Sequence, residues 1–203
     1  MVEALLEGPH PLPIVQAGHP ALRTPATRYD GQLDDALLAG LVEAMRETML
    51  AAPGVGLAAP QVGLGLAIAV VQDAWVADVD AVIARERTPV PFRVLVNPRY
   101  EPVSGERAAF FEGCLSVRGW QAVTARWRQV RLTGVDEHGE PLEEVLTGWP
   151  ARIVQHETDH LNGRLYVDVA EMRSLVGPEE ALRWAGDLTP HRAAADLGFD
   201  LPS

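Results

Sequence analysis

The sequence contains no lysine and only one cysteine. These shortages bear on its charge balance and on its capacity to form disulfides. All 17 basic residues are arginine, and 28 acidic residues outnumber them, which gives a formal net charge of −11. An acidic balance of this size argues against direct binding of nucleic acid. Because Cys114 is the only cysteine, no intrachain disulfide can form, and the chain suits a reducing compartment.

Long hydrophobic runs are also missing. No stretch approaches the ~20 consecutive apolar residues that a membrane-spanning helix needs. The first residues lack the charged start and apolar centre of a secretory signal, and they are not the Arg-rich, amphipathic kind of a transit peptide. We therefore expect a cytoplasmic protein without membrane contact. With 203 residues, 47% of them hydrophobic, the chain can bury one sizeable core.

The most informative stretch runs from Gln155 to Gly163 and reads QHETDHLNG. His156 and His160 are four residues apart, and on a helix this spacing puts both side chains on one face with Cβ atoms about 5–6 Å apart. Two ring nitrogens placed in this way can bind one metal ion. Glu157 can reach a water on the ion without binding the metal, which is the position of a general base.

The pattern H-E-x-x-H also occurs by chance on helices that bind no metal. Ile153 lies on the same stripe as His156, which indicates that this face of the helix points inward. Two imidazoles and a carboxylate that face a core would be costly to bury without a metal. The metal interpretation is therefore favoured.

Periodicity and turn residues predict the elements around this motif. The motif helix is expected from about Pro150 to Asn162 and ends at Gly163, and residues 73–92 are expected to form a surface excursion with a short helix. The other expected elements are a helix over 34–52, a strand over 64–71, a strand over 93–96 that ends at Asn97-Pro98, a hairpin of 129–135 with 140–146 that turns at His138-Gly139, and a short helix over about 178–185.

These elements predict one catalytic domain over residues 14–170. An N-terminal arm of residues 1–13 is expected to lie over the surface, and residues 171–203 form a C-terminal extension with a short helix. The predicted fold class is α+β, with strands enclosing a central helix that carries the H-E-x-x-H metal motif. The helix is placed centrally because its functional face is also its apolar face.

Two further blocks accompany the motif. Residues 54–61 read GVGLAAPQ, whose glycines let the backbone approach another group closely, and residues 112–116 read EGCLS and contain the single cysteine. Together with QHETDH at 155–160, and in this order, the blocks closely resemble those of peptide deformylases. The similarity extends from GHPALR at 18–23 to about Asp168. One departure is Arg118, where the family commonly has proline.

The resemblance implies a metal site made of Cys114, His156 and His160, with water as the fourth ligand. The family's metal in cells is Fe²⁺, one ion per chain. A set of two histidines and one cysteine also accepts Zn²⁺, Ni²⁺ or Co²⁺, any of which could be present in the isolated protein. Three protein ligands and one open position are what a hydrolytic metal site needs.

The resemblance also implies the catalytic roles. Glu157 would take a proton from the water and return it to the leaving amine. The side-chain amide of Gln61 and the backbone N–H of Leu115 would hold the formyl oxygen as it becomes an oxyanion, and Gly56 would border that site. Formate would be released.

The implied substrate is the N-formyl-methionyl end of a nascent polypeptide, so the protein would act in protein biosynthesis and N-terminal methionine processing. We expect the substrate to be bound by Val55, Gly113 and Ile153, with Val55 and Ile153 helping to form an apolar slot for the first side chain. Residues 171–203 contain three arginines against six acidic residues, so we do not expect docking on the ribosome through a basic C-terminal segment.

Two other functions compete with this one. A zinc endopeptidase is the nearest, because residues 156–163 match the start of a longer protease signature, but Tyr166 stands where its third histidine should be. Another protease class would use a downstream glutamate such as Glu180 as third ligand, which leaves Cys114 and Gln61 unexplained. The second competitor is a binding module with a purely structural metal, although such sites usually have four protein ligands and more cysteines.

Overall fold

The computed structural model describes residues 1–74 and 79–202. Within these ranges the helices are α1 (Val2–Leu6), α2 (Asp35–Ala51), α3 (Val79–Arg85), α4 (Gly148–Leu161), α5 (Pro178–Trp184) and α6 (His191–Leu197). The strands are β1 (Gly56–Ala58), β2 (Ile68–Asp73), β3 (Val90–Pro102), β4 (Arg107–Cys114), β5 (Val117–Trp127), β6 (Gln129–Val135), β7 (Pro141–Thr147) and β8 (Ala170–Val176). None of these helices has the length and apolar character needed to cross a lipid bilayer.

The strands form two antiparallel sheets that surround α4. One sheet has five strands in the order β1-β2-β3-β6-β7, and the other has three in the order β4-β5-β8. Helix α4 packs against all five strands of the first sheet and against β5 of the second. Eleven of its 14 residues are buried. The predicted architecture of strands enclosing a central motif helix is confirmed.

The five-stranded sheet is covered on both faces. In β2, Ile68 and Val70 pack in a cluster with residues of α2, whereas Ala69 and Val71 pack in a second cluster with residues of α4. Successive side chains of a strand point to opposite faces, so a strand covered on both sides reads as an uninterrupted apolar run. The strand predicted over 64–71 therefore exists but begins later, at Ile68, and its covering on both sides explains why its apolar run lacks alternation.

Glycine fixes the end of α4. Gly163 follows the helix with φ at +71°, and a Cβ atom there would lie 2.8 Å from the carbonyl oxygen of Arg23. Only glycine fits this left-handed and crowded position. At the other end, Pro150 lies in the first helical turn, where its missing N–H group leaves no hydrogen bond unmade. The helix therefore spans almost the predicted range.

Several other predicted elements are confirmed. The helix over 34–52 is α2, and Asp34 caps it by accepting a hydrogen bond from the Leu37 N–H at 2.8 Å. The hairpin is β6 with β7, and the C-terminal helix is α5. The excursion over 73–92 contains α3, while its residues 75–78 lie outside the described part of the chain.

The prediction that a strand ends at Asn97-Pro98 is wrong, because β3 continues to Pro102. Asn97 has φ at +52°, and the register between β3 and β6 shifts between Val96 and Arg99. The Asn97 side chain also accepts from the Tyr29 N–H at 2.8 Å and donates to the Tyr29 carbonyl at 2.7 Å. The Asn-Pro pair therefore marks a β-bulge rather than a strand end.

Both ends of the chain contain helices that periodicity did not predict. Helix α1 lies inside the expected N-terminal arm, with Val2 buried in the same cluster as α2. Leu12 is buried there as well, and its N–H donates to the Thr48 hydroxyl at 2.8 Å. Helix α6 follows α5, and its Ala193 is fully buried. Each helix is too short for a clear apolar period, and tertiary contacts stabilise it.

Candidate active site

Three potential metal ligands converge where β4 meets α4. The His156 and His160 Nε2 atoms are 3.2 Å apart, and the Cys114 Sγ atom lies 3.2 Å from His160 Nε2. All three ligand atoms lie within 4.8 Å of one another. In a tetrahedral site with metal–nitrogen bonds of about 2.0–2.1 Å, two nitrogens are separated by roughly 3.4 Å. The arrangement therefore has the dimensions of a metal site.

The chemistry of these donors also fits a metal ion. The Nδ1 atom of His156 lies 2.6 Å from a Glu112 carboxylate oxygen, and if it donates there, Nε2 keeps its lone pair for a ligand. Two neutral imidazoles and one thiolate leave a divalent ion with a residual charge of about +1 and an open coordination position. The residues present thus fit a divalent metal.

Glu112 holds His156 from behind and is itself held by two buried arginines. Arg126 donates to its two oxygens at 2.6 and 3.2 Å, and Arg152 donates at 2.7 Å. Burial alone would raise the pKa of Glu112, but Arg126, His156 and Arg152 outweigh it and hold that pKa well below its usual range. Arg126 also pairs with Asp159 on α4. The group beside His156 is therefore a carboxylate, which orients the ring.

Sequence reasoning did not assign a role to this network. The EGCLS block includes Glu112, but the sequence analysis gave this residue no function. It also gave none to Arg126, Arg152 or Asp159. One signal was available, because Arg152 lies four residues before His156 and so shares its helical face. Glu112 and Arg126 could not be found in this way, since they come from β4 and β5, whose packing against α4 is not local. Asp159 lies on α4, but its partner Arg126 does not.

Glu157 lies against Gly56 at the edge of β1. A Cβ atom on Gly56 would be 2.2 Å from a Glu157 carboxylate oxygen, so only glycine leaves room for this side chain. Burial is the main reason why the pKa of Glu157 is raised to about 7, with nearby His156 opposing the shift. Its Oε2 atom is buried and has no hydrogen-bond partner within residues 1–74 and 79–202. A carboxyl group with a pKa near neutrality can both accept and return a proton.

Gln61 is oriented toward Cys114. Its side-chain oxygen accepts from the Ala58 N–H at 2.8 Å, which fixes the amide, and its Nε2 atom lies 3.6 Å from the Cys114 sulfur and 3.3 Å from the Ser116 hydroxyl. Leu115, the next residue after Cys114, is held through its carbonyl, which accepts from Gln16 Nε2 at 3.1 Å. The GVGLAAPQ and EGCLS blocks therefore meet at the candidate metal site.

A cleft of about 610 Å³ opens onto these groups. His160 does not line it, because this residue is almost fully buried behind His156. The other predicted site residues all line the cleft, namely Val55, Gly56, Gln61, Gly113, Cys114, Leu115, Ile153, His156 and Glu157.

The residues that the competing protease functions require are not ligands here. Tyr166 is buried with its ring stacked on His156 at 6.4 Å between centroids, and its hydroxyl donates to the Trp120 carbonyl at 2.9 Å. Glu180 is exposed on α5, where it pairs with Arg183 at 2.7 Å. Neither belongs to the group formed by Cys114, His156 and His160.

Comparison with known proteins agrees with this arrangement. A family model described as Polypeptide deformylase matches residues 11–175. The chain belongs to the peptide deformylase family. Peptide deformylase 3 of Streptomyces avermitilis is 64% identical over 202 residues, which are 99% of this chain and 90% of that protein. The family assignment made from the three sequence blocks is confirmed.

Solved peptide deformylases share the fold. The enzyme from Synechococcus elongatus, in complex with actinonin, is 34% identical with a TM-score of 0.68 and covers 96% of this chain and 91% of its own. The Acinetobacter baumannii enzyme bound to Met-Ala-Ser is 35% identical with a TM-score of 0.69 and covers 78% of this chain and 97% of its own. The α+β fold class is confirmed.

As a peptide deformylase, the chain is a metal-dependent hydrolase that removes the formyl group from the N-terminal formyl-methionine of newly made polypeptides. The alternative functions, a zinc endopeptidase and a binding module with a structural metal, are not supported.

Proposed function

We propose that deformylation takes place in this cleft with one Fe²⁺ ion held by Cys114, His156 and His160. The observation that supports this most strongly is the convergence of the three ligand atoms within 4.8 Å, beside a buried carboxyl group that is not one of them. A divalent ion bound there would lower the pKa of a water molecule and polarise the formyl carbonyl. A mixed set of imidazoles and thiolate suits iron, and it also accepts Zn²⁺, Ni²⁺ and Co²⁺.

In this proposal Glu157 is the acid and base of the reaction. Its carboxylate takes a proton from the attacking water and delivers that proton to the amine nitrogen as the C–N bond to the formyl carbon breaks. Formate and the free N-terminal amine of methionine are the products. The group is buried beside the proposed ligands and one of its oxygens has no partner among the described residues, which suits both halves of this transfer. A positioned acid–base group contributes typically ~10²–10⁴-fold to the rate.

The formyl oxygen gains negative charge when water adds to the carbon, and Gln61 and Leu115 are the proposed donors to it. The amide of Gln61 is oriented in advance by its bond from Ala58, so little reorganisation is needed during the reaction. The backbone N–H of Leu115 would be the second donor, and Gly56 would border the oxygen. A preorganised donor of this kind is worth roughly 2.7–4 kcal/mol.

The peptide substrate is proposed to lie between two sheet edges. Strand β1 is an outer strand of the five-stranded sheet and β4 is an outer strand of the other sheet. Val55, which directly precedes β1, and Gly113 of β4 line the same cleft. An extended peptide can add to exposed strand edges through main-chain hydrogen bonds. The Acinetobacter baumannii relative, which was solved with Met-Ala-Ser bound, supports a peptide as the ligand.

The slot for the methionine side chain is proposed to include Ile153, which is buried one turn before His156 and lines the cleft. Phe110 and Trp149 also line it, with their rings edge to face at 6.2 Å.

We place the reaction in the cytoplasm, where nascent chains emerge. The C-terminal extension is acidic overall, so contact with the ribosome would need another surface.

The test is elemental analysis of anaerobically purified protein together with turnover of formyl-Met-Ala-Ser. We expect one iron per chain and release of formate. Cys114→Ala should lose both metal and activity, whereas Glu180→Ala, which removes an exposed carboxylate, should keep both. Metal retained in Cys114→Ala, or lost in Glu180→Ala, would contradict the proposed ligands.

A further inference from the structure

The cleft extends past the metal site to a wall built by the C-terminal extension. Leu182 of α5 and Leu188, which follows it, line the same cleft as Cys114 and Glu157. The match to the deformylase family ends at residue 175, so these wall residues lie beyond the part of the chain that the family model describes.

Large apolar side chains on this wall are open to solvent. Leu182 is 79% exposed, Leu188 is 42% exposed, and Trp120 of β5, which also lines the cleft, is 46% exposed. Single exposed apolar residues are ordinary, but a cluster that lines a cleft marks a binding surface. The exposed cluster lies at the cleft of a peptide-processing enzyme, so a peptide is the ligand to consider first.

The wall is held in place by buried contacts. Trp184 of α5 is buried with Val176 and Ala193, and this cluster packs against Phe111, the neighbour of Glu112 on β4. Arg192 stacks over the Trp184 ring at 4.7 Å. The extension is thus joined to the strand that leads to Cys114, which is a condition for a precise subsite.

The end of β4 connects the metal site to this wall. Gly113, next to Cys114, is paired with Gln121 of β5, and Trp120 is the residue before Gln121. The Trp120 ring lies 3.5 Å from the point that a Cβ atom of Gly177 would occupy, and the Trp120 carbonyl accepts from the Tyr166 hydroxyl. Gly113 and Trp120 line the same cleft, so a peptide held at Gly113 lies in the space that the Trp120 side chain borders.

We infer that Trp120, Leu182 and Leu188 form a subsite for an apolar side chain at the second or third residue of the formylated nascent chain. The inference rests on the peptide path proposed above. A cleft of about 610 Å³ is within the range that encloses a drug-sized ligand, so it has room for more than the first residue. The enzyme should accordingly favour nascent chains that carry leucine or phenylalanine shortly after the formyl-methionine.

The experiment compares kcat/KM for formyl-Met tetrapeptides that carry leucine, aspartate or lysine at the second or third position and serine elsewhere. The parent enzyme should prefer leucine over lysine at one of the two positions, and Leu182→Glu should lower that ratio by about tenfold, the scale of discrimination in an apolar pocket. The introduced carboxylate would attract a lysine side chain. Part of the fall in the ratio should therefore come from a higher kcat/KM for the lysine peptide. Leu188→Glu should shift the ratio in the same direction.

The matched control is Leu50→Glu, which adds the same charge at a leucine that is 51% exposed on α2 and does not line the cleft. It should leave the ratio unchanged. A parent without any apolar preference, an unchanged ratio in both cleft variants, or an equal loss on every peptide would overturn the subsite. Failure of the parent to hydrolyse formyl-Met-Ala with iron bound would instead refute the proposed catalytic site.

Discussion

At the scale of single residues, Glu157 is the group on which the proposed chemistry depends most. The carboxyl group is buried, its pKa is raised to about 7, and one oxygen has no protein partner in the described ranges. We predict that Glu157→Ala binds metal nearly as well as the parent and lowers kcat by about 10²–10⁴-fold, because a proton carrier is lost and a ligand is not. Metal content and kcat measured on the same preparation decide the matter. Loss of the metal would make Glu157 a ligand and refute its assignment.

Gly56 offers a second residue-scale prediction, because it leaves space for the Glu157 carboxylate. In Gly56→Ala the new methyl group would lie 2.2 Å from a Glu157 oxygen, so the carboxylate must move. We expect kcat to fall by at least about tenfold, since displacement of a catalytic group by ~1 Å can cost ~10²-fold, while metal content is retained.

The control for this variant is Gly65→Ala, because a Cβ atom on Gly65 meets nothing within 4 Å among the described atoms. That variant should keep the kcat of the parent. Full activity in Gly56→Ala would show that the Glu157 position is not required for the reaction.

At the scale of elements, the charged network joins the three-stranded sheet to α4. Glu112 lies on β4 and Arg126 on β5, while Arg152 and Asp159 lie on α4. All four side chains are buried, and removal of one partner of a buried pair typically costs about 3–5 kcal/mol because it leaves the other charge uncompensated. The network therefore fixes the distance between the strand that carries Cys114 and the helix that carries both histidines.

This network predicts how stability depends on pH. The Glu112 pKa is depressed in the folded protein, so its contribution to the free energy of unfolding is fully present above the unfolded pKa, about 4.3, and is lost as the pH falls through the folded pKa. We expect urea unfolding midpoints to drop steeply below pH ~4.3 in the parent. Glu112→Gln should be less stable at pH 7 and show a shallower drop in acid. Parallel pH profiles for the two proteins would contradict this role.

The elements also show what the sequence could and could not predict. Helix α4, the α2 helix and the β6–β7 hairpin follow from periodicity and turn residues, because their stabilising contacts repeat locally. The spacing of His156 and His160 suggested two metal ligands directly, because both lie on one helical face. Cys114 was proposed as the third ligand only through the resemblance to peptide deformylases, because the approach of β4 to α4 is not local. The bulge at Asn97 was missed because its cause is a pair of hydrogen bonds to Tyr29, far away in sequence, and the arginine network was missed for the same reason.

At the scale of the whole molecule, the proposed metal site would link the two sheets. Cys114 is the last residue of β4 in the three-stranded sheet, whereas both histidines belong to α4, which packs on the five-stranded sheet. An ion bound to all three would hold these layers together, and only in the folded state. Binding of this kind stabilises a protein by RT ln(1 + [L]/Kd), about 4.1 kcal/mol when the free metal concentration is 1,000 times Kd.

We therefore predict that removal of the metal by a chelator lowers Tm by roughly 8–16 °C, because 1 kcal/mol corresponds to about 2–4 °C in a chain of this size. The measurement is a thermal melt of the metal-loaded protein and of the chelated protein, followed by a melt after Ni²⁺ is added to the chelated protein. In Cys114→Ala, which keeps only the two histidines, the same treatment should change Tm much less. If metal-loaded and metal-free parent melt at the same temperature, the ion does not couple the two sheets, and the arginine network alone must hold the helix against β4.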